Sequence, residues 1–191
     1  MRHAIVGDCE KHDFVLTVAY MLQAYTQKKV SVVTDEDRHY RYFEGEVSGI
    51  SVDVEVATTS ADYYLYDFHY SIPLFHLDNL LLVTNYEKKS LDRLDGLITQ
   101  VNDVLPSGVL IVQSPSKVSI DYVEKSIPIE VPSIVYEDDT YRRIDWVHDG
   151  RINFRSVEKG FRLAVEDYLK IGYDIPNKDL AKLWAYARKR G

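Results

Sequence analysis

The sequence has a single cysteine, Cys9, among 191 residues. A disulfide needs two cysteines, so an internal disulfide framework is excluded, and one thiol is typical of a protein in a reducing cytoplasm. Long apolar runs are lacking too, and none approaches the roughly 20 residues of a membrane-spanning helix. The first apolar run covers only residues 4–6, which is too short for a signal peptide. We therefore expect a cytoplasmic protein without a transmembrane segment.

The sequence has fewer basic residues than acidic ones. The chain carries 23 Lys and Arg residues against 30 Asp and Glu residues, which gives a formal net charge of −7. A surface of this sign repels nucleic-acid phosphates, so nucleic acid is not an expected partner. The basic residues 188–190 offer the obvious site for a DNA-binding alternative, which would require salt-dependent DNA binding.

Short apolar runs alternate with helical patterns along the chain. The runs at residues 4–6, 30–33, 80–84 and 109–112 predict buried strands. Strands that are apolar throughout and separated by helices predict a mostly parallel sheet with helices on both faces, a three-layer α/β fold. The length fits one domain, residues 1–191. A last helix, at about residues 177–190, is expected to pack on this domain or to bind partners.

Local signals add three further predictions. Residues 50–56 alternate between apolar and polar, and the turn at Ser48-Gly49 predicts an added β-hairpin with residues 42–47. An apolar stripe predicts a helix over residues 90–104. Ser156 is a candidate N-cap for a helix that Gly172 would end at its C′ position.

The stretch from Gly7 to Asp13 combines a meaningful position with unexpected residues. It lies between an apolar strand and an apolar helical pattern that begins at Phe14. A glycine-led loop in that position presents backbone N–H groups and a helix N-terminus to an anion. However, this loop carries Asp8, Glu10 and Asp13, where phosphate-binding loops prefer glycine.

The order and content of these segments resemble the ParA/MinD group of P-loop ATPases, whose deviant Walker A loop reads KGGVGKTT. The resemblance covers roughly residues 2–168. It aligns Lys11 with the lysine of the GKT triplet, and Tyr66-Asp67 through Pro73 with a strand-end aspartate followed by a proline. The resemblance implies a P-loop NTPase-like fold with a vestigial or weak nucleotide site at Gly7, Lys11, His12, Asp37, Asp67 and Gln113.

Departures from this family pattern weaken the case for catalysis. The early signature lysine falls on Val6, and His12-Asp13 replace two hydroxyl residues, the first of which binds magnesium in the family. A carboxylate about 4 Å from a phosphate is repelled by roughly 4 kcal/mol at an effective dielectric near 20. We therefore predict no catalytic residues and no tightly bound ATP or Mg²⁺.

Two functions follow from the resemblance. The first is a non-catalytic localisation, assembly or regulatory factor in a bacterial complex, similar to the pilus and secretion proteins of the TadZ/CpaE kind or to partition proteins. The resemblance then implies a homodimer, a further protein partner, and membrane association only through a partner. The alternative is an active ATPase with an unusual loop, in which Lys11, Asp37 and Asp67 work.

Other chemistries have weaker support in the sequence. Cys9 and His12 could pair as nucleophile and base, but no third orienting group is evident. Glu10, His12 and Asp13 are close together on one loop, a spacing that rarely gives converging ligands, so no metal site is predicted. His39, His69 and His76 show no ligand spacing and are interpreted as ordinary loop residues.

Overall fold

The computed structural model describes residues 1–43, 45–101 and 104–190. Its strands are β1 (Arg2–Val6), β2 (Val30–Thr34), β3 (Glu46–Val47), β4 (Ile50–Val54), β5 (Tyr63–Phe68), β6 (Asn79–Asn85), β7 (Gly108–Gln113) and β8 (Ser133–Glu137). Its α-helices are α1 (His12–Thr26), α2 (Lys88–Ile98), α3 (Ile120–Ser126), α4 (Thr140–Asp149), α5 (Lys159–Tyr173) and α6 (Asn177–Arg190). A 3₁₀ turn covers Arg41–Phe43.

The eight strands form one sheet in the order β3-β4-β2-β5-β1-β6-β7-β8. Neighbouring strands are parallel except for β3 and β4, which form the predicted hairpin. The hairpin is confirmed, but its first strand is only two residues long because residues 41–43 form the 3₁₀ turn. Since β4 also pairs in parallel with β2, the hairpin extends one edge of the sheet.

Helices cover both faces of the sheet, so the predicted three-layer α/β fold is confirmed. On one face α1 contacts β2 and is itself covered by α5 and α6. The core on this side includes Phe14, Phe161 and Trp184, all almost fully buried. On the opposite face, Leu94 and Leu97 of α2 pack with Val123 of α3 against apolar strand residues. No helix in the described ranges is long and apolar enough to cross a membrane.

Several local features differ from the predictions, among them the N-cap of α5, which is Glu158 and not the predicted Ser156. Helix α4 was not predicted, although Asp139 caps its N-terminus by accepting the N–H of Tyr141 at 3.0 Å. Gly150 ends it with a φ of 63°. Gly172 was predicted to terminate a helix but lies inside α5, and Asp174 adopts the left-handed conformation instead, at φ 55°. The helix predicted over residues 90–104 ends at Ile98; residues 102–103 of that prediction, and residue 44 of the predicted hairpin, lie outside the described residues.

Gly7 allows the end of β1 to lie close to β6. Its N–H donates to the carbonyl of Phe68 at 2.9 Å, which continues the pairing of β1 with β5. A Cβ atom at position 7 would lie 2.0 Å from the carbonyl oxygen of Val83. The Cβ would be fixed to the backbone of residue 7, and the oxygen belongs to the backbone of β6. Because both backbone segments are held in the packed sheet, neither can move aside at low cost.

We expect Gly7→Ala to lower the free energy of unfolding by about 3 kcal/mol, since it overpacks a rigid part of the sheet. Gly96→Ala is the matched control: a Cβ there meets nothing within 4 Å, and alanine favours a helix by about 1 kcal/mol over glycine. Urea denaturation followed by circular dichroism measures both. An unchanged stability in Gly7→Ala would contradict this close approach.

Candidate functional site

The carboxyl ends of the central parallel strands converge at the loop between β1 and α1. This loop begins at Gly7 after β1 and ends at His12, the first residue of α1. Asp67 lies in β5, paired in parallel register with Ile5 of β1 and Thr34 of β2. Strand pairing alone therefore places Asp67 beside the loop.

A buried salt bridge joins Lys11 to Asp67. The Nζ of Lys11 is 2.7 Å from Oδ1 of Asp67, and these side chains are 0% and 1% exposed. The same ammonium donates to the carbonyl oxygen of Gly7 at 2.9 Å. Asp67 accepts a second hydrogen bond, from the hydroxyl of Tyr40, at 2.6 Å. The ammonium of Lys11 is thus directed into the protein and has no exposed surface.

Two opposing effects act on the pKa of Asp67. Burial raises it, while the charge of Lys11 and the hydrogen bonds from Lys11 and Tyr40 lower it, and the net pKa is below its usual value. Burial and the neighbouring Asp67 raise the pKa of Tyr40 well above its usual range. At neutral pH Asp67 is therefore a carboxylate and Tyr40 a neutral phenol.

The N-terminus of α1 holds a carboxylate of its own. Asp13 is fully buried, and its Oδ1 accepts the N–H of Phe14 at 2.8 Å. Its Oδ2 accepts from Nε and Nη2 of Arg142, in α4, at 3.0 and 2.8 Å. Arg142 also contacts Glu158 and lies over the ring of Phe161, 3.8 Å from its centroid. An internal carboxylate–guanidinium pair thus lies at a helix end that in other proteins attracts anions.

A second polar group surrounds Glu10. Its Oε1 accepts from Nη2 of Arg38 at 2.5 Å, and its Oε2 contacts His39. Burial raises the pKa of Glu10, but the hydrogen bond from His39 and nearby positive charges outweigh this and lower it to about 2. Burial, aided by the charges of His39 and Arg143, lowers the pKa of His12 to about 3. Glu10 is therefore an anion and His12 a neutral imidazole at neutral pH.

The structure brings together four of the six residues predicted for a nucleotide site. Gly7, Lys11 and Asp67 are in direct contact, and His12 follows Lys11 at the start of α1. Asp37 is separate: its side chain is 48% exposed and faces Arg41 at 3.7 Å. Gln113 is separate too.

Gln113 ends β7, which β6 separates from β1. It lines an open cleft of about 790 Å³ together with Tyr136, Asp138 and Phe161. This cleft lies toward β8 and α5, away from the contacts of Lys11. Gln113, predicted as part of the nucleotide site, therefore belongs to a different surface.

Several residues at the loop were not predicted from the sequence. His39 contacts Glu10 across 29 positions, Arg142 contacts Asp13 across 129, and Tyr40 contacts Asp67 beside the loop across 27. No local sequence pattern predicts such contacts. The nucleotide site predicted from the sequence includes Asp37 but not Asp35. It is Asp35 that accepts the N–H groups of His69 (2.9 Å) and Tyr70 (3.3 Å), and so joins the loops after β2 and β5.

Cys9 is a poor nucleophile in this environment. Its side chain is buried, and burial raises the pKa of the thiol to about 12, despite the opposing effect of the Lys11 charge. A thiol with this pKa is protonated at neutral pH, and the thiolate is the reactive form. The geometry gives no support to a Cys9–His12 nucleophile and base pair.

Comparison with known proteins finds similarity in structure alone. No family model matches the sequence, and no curated protein matches it. Similar solved structures include a ParA family ATPase from Chlorobium tepidum TLS, with a TM-score of 0.53, 15% identity, and coverage of 97% of this chain and 96% of that one. MinD in the MinC:MinD cell division complex of Aquifex aeolicus has a TM-score of 0.60 and 14% identity, with 92% and 98% coverage.

A putative plasmid partition protein from Borrelia burgdorferi B31, bound to AMPPNP, is a third similar structure. Its TM-score is 0.51 at 10% identity, and the alignment covers 97% of this chain and 98% of that one. Identities this low carry information on the fold and not on activity. The protein has the fold of the ParA/MinD-like P-loop ATPases.

Proposed function

We propose that this chain is a non-catalytic ParA/MinD-like protein, which acts by binding other proteins as a localisation, assembly or regulatory factor in a bacterial complex. The single observation that carries the proposal is the buried Lys11–Asp67 salt bridge, at 2.7 Å. In this arrangement Lys11, the residue aligned with the phosphate-binding lysine, forms an ion pair in the interior of the protein.

Phosphate binding by Lys11 would require the salt bridge to break. Removing one partner of a buried ion pair leaves the other charge uncompensated and costs about 3–5 kcal/mol. Asp67 would be that uncompensated charge, since Tyr40 supplies only a neutral hydrogen bond. This cost would be subtracted from whatever affinity a nucleotide gained.

The loop carboxylates add to this cost. Asp8 is largely buried and pairs with Lys89 at 2.7 Å, while Glu10 and Asp13 are held by arginines. Each carboxylate lies on or beside the segment that would surround a phosphate, and each repels one. The chain thus neutralises the loop with internal ion pairs.

Protein recognition is supported by exposed apolar side chains in the segment after β5. This segment exposes Leu74 completely and Tyr70 and Phe75 in part. Exposed apolar surface is typical of protein-binding sites. One of the similar solved structures is a MinC:MinD cell division protein complex, which supports the proposal of a protein partner. A homodimer, as the family resemblance implies, is part of the proposal.

Two measurements on the full chain test the proposed absence of nucleotide binding and of catalysis: calorimetric titration with ATP and Mg²⁺, and an assay of phosphate release. We expect no saturable heat below about 1 mM, which corresponds to a binding free energy weaker than about −4 kcal/mol, and no release of phosphate. The alternative, an active ATPase, predicts phosphate release that Lys11→Ala abolishes and Lys88→Ala leaves unchanged. Lys88 is a suitable control because its side chain is 90% exposed. Phosphate release that Lys11→Ala abolishes and Lys88→Ala leaves unchanged would overturn the proposal.

A double-mutant cycle tests the structural role of Lys11. We expect Lys11→Met and Asp67→Leu each to lower the free energy of unfolding by about 3–5 kcal/mol, and the double variant to lose much less than the sum. The exposed pair Lys88 and Asp92, at 3.8 Å, is the matched control, and its coupling should stay below about 1 kcal/mol. Equal coupling energies in the two cycles, measured by urea denaturation, would show that the Lys11–Asp67 pair has no special structural role.

A further inference from the structure

Three metal-ligand side chains meet above the loop. Glu10 lies in the loop, His12 begins α1, and His39 lies in the turn after β2. One ligand atom from each is within 4.8 Å of the other two. The Oε2 of Glu10 contacts Nε2 of His39 and lies 3.9 Å from Nδ1 of His12. The two imidazole rings are stacked, with centroids 4.3 Å apart.

His12 lacks the hydrogen bonds that a buried imidazole normally makes. Its side chain is 2% exposed, and neither Nδ1 nor Nε2 has a hydrogen-bond partner among the described residues. Buried polar groups are almost always paired, and an unpaired one costs about 1–3 kcal/mol. Nδ1 of His12 lies 3.9 Å from Oε2 of Glu10, which also contacts Nε2 of His39, so potential metal-ligand atoms of all three side chains face one another.

Arg38 contacts the carboxylate oxygen of Glu10 that points away from the two imidazoles. It donates to Oε1 at 2.5 Å, so Oε2 faces His39 and His12, the other two side chains of the cluster. Arg143 is held by Asp138 through two contacts of 3.0 Å and lies farther from Glu10, at 3.8 Å. Nε of Arg38 also lies 3.2 Å from Nε2 of His39, and metal coordination of Nε2 would replace the present contacts of this nitrogen with Arg38 and Glu10.

We propose that Glu10, His12 and His39 bind one divalent transition-metal ion of the zinc class. Two imidazoles and one carboxylate are a ligand set that Zn²⁺ uses at sites with an open fourth position. Zinc bonds of about 2.0–2.1 Å place tetrahedral ligand atoms about 3.4 Å apart. Small side-chain movements reach this spacing: Nδ1 of His12 moves closer to Oε2 of Glu10, and Nε2 of His39 moves away from it. The hydrogen bond from Arg38 to Oε1 holds the orientation of the carboxylate.

The fourth position faces a shallow cleft. His12 and His39 line this cleft of about 210 Å³ together with Arg38, Arg143 and His148. Water or a small anion fits there as the remaining ligand. Such an ion would also fasten the start of α1 to the turn after β2, next to Tyr40, which is hydrogen-bonded to Asp67.

Calorimetric titration of the untagged, chelator-stripped full chain with Zn²⁺ tests this site. We expect one ion per chain, and at least about tenfold weaker binding in both His39→Ala and Glu10→Gln. His76→Ala is the matched control, because His76 is 80% exposed and lies outside the cluster, and it should bind as the unaltered chain does. His39 and Glu10 are partly exposed, so both variants should fold, which circular dichroism checks.

Titration with Co²⁺ gives a second measurement. Visible absorption bands of a tetrahedral or five-coordinate ion without a sulfur-to-metal band would support nitrogen and oxygen ligands, whereas a sulfur band would indicate Cys9 and overturn the proposal. Affinity weaker than about 1 mM, or equal affinity in His39→Ala and His76→Ala, would also overturn it. The titrations contain no nucleotide, so either outcome is independent of the proposed lack of ATPase activity.

Discussion

The buried salt bridge between Lys11 and Asp67 is the interaction on which the rest of this face depends. It connects the loop after β1 to β5, and Tyr40 adds the segment after β2 through its hydrogen bond to Asp67. Two buried charges are tolerable only while they stay paired and hydrogen-bonded. Three parts of the sheet edge are therefore held in one arrangement by a group that would be costly to open.

The loop after β1 has the position of an anion-binding site, and carboxylates of the protein itself lie there. A loop between a parallel strand and a helix directs N–H groups outward, and in this protein Asp13 accepts one of them. Arg142 balances the charge of Asp13 from α4, and Lys89 balances Asp8 from α2. Internal ion pairs thus take the place that a ligand occupies in proteins that bind phosphate at this position.

The same edge of the sheet is tied together at two depths. The deeper contact is the Lys11–Asp67–Tyr40 cluster, and the shallower one is the group of Glu10, His12 and His39. Because His39 and Tyr40 are neighbours in sequence, both contacts hold the same turn. A ligand at the shallower group would therefore reinforce the arrangement below it.

The sequence by itself determined the layers and the position of the loop. Apolar runs at β1, β2, β6 and β7 predicted a parallel sheet, because strands buried on both faces have no polar side, and Gly7 marked where the first strand ends. The sequence also contains residues typical of the two ends of α4, Asp139 at its N-cap and Gly150 at its C-cap, although this helix was not predicted.

Only the tertiary structure decided which side chains meet. Asp13 and Arg142 are 129 positions apart, and Glu10 and His39 are 29 apart; their contacts depend on strand order and helix packing, which local periodicity does not encode. For the same reason Asp35, and not Asp37, joins the loops after β2 and β5.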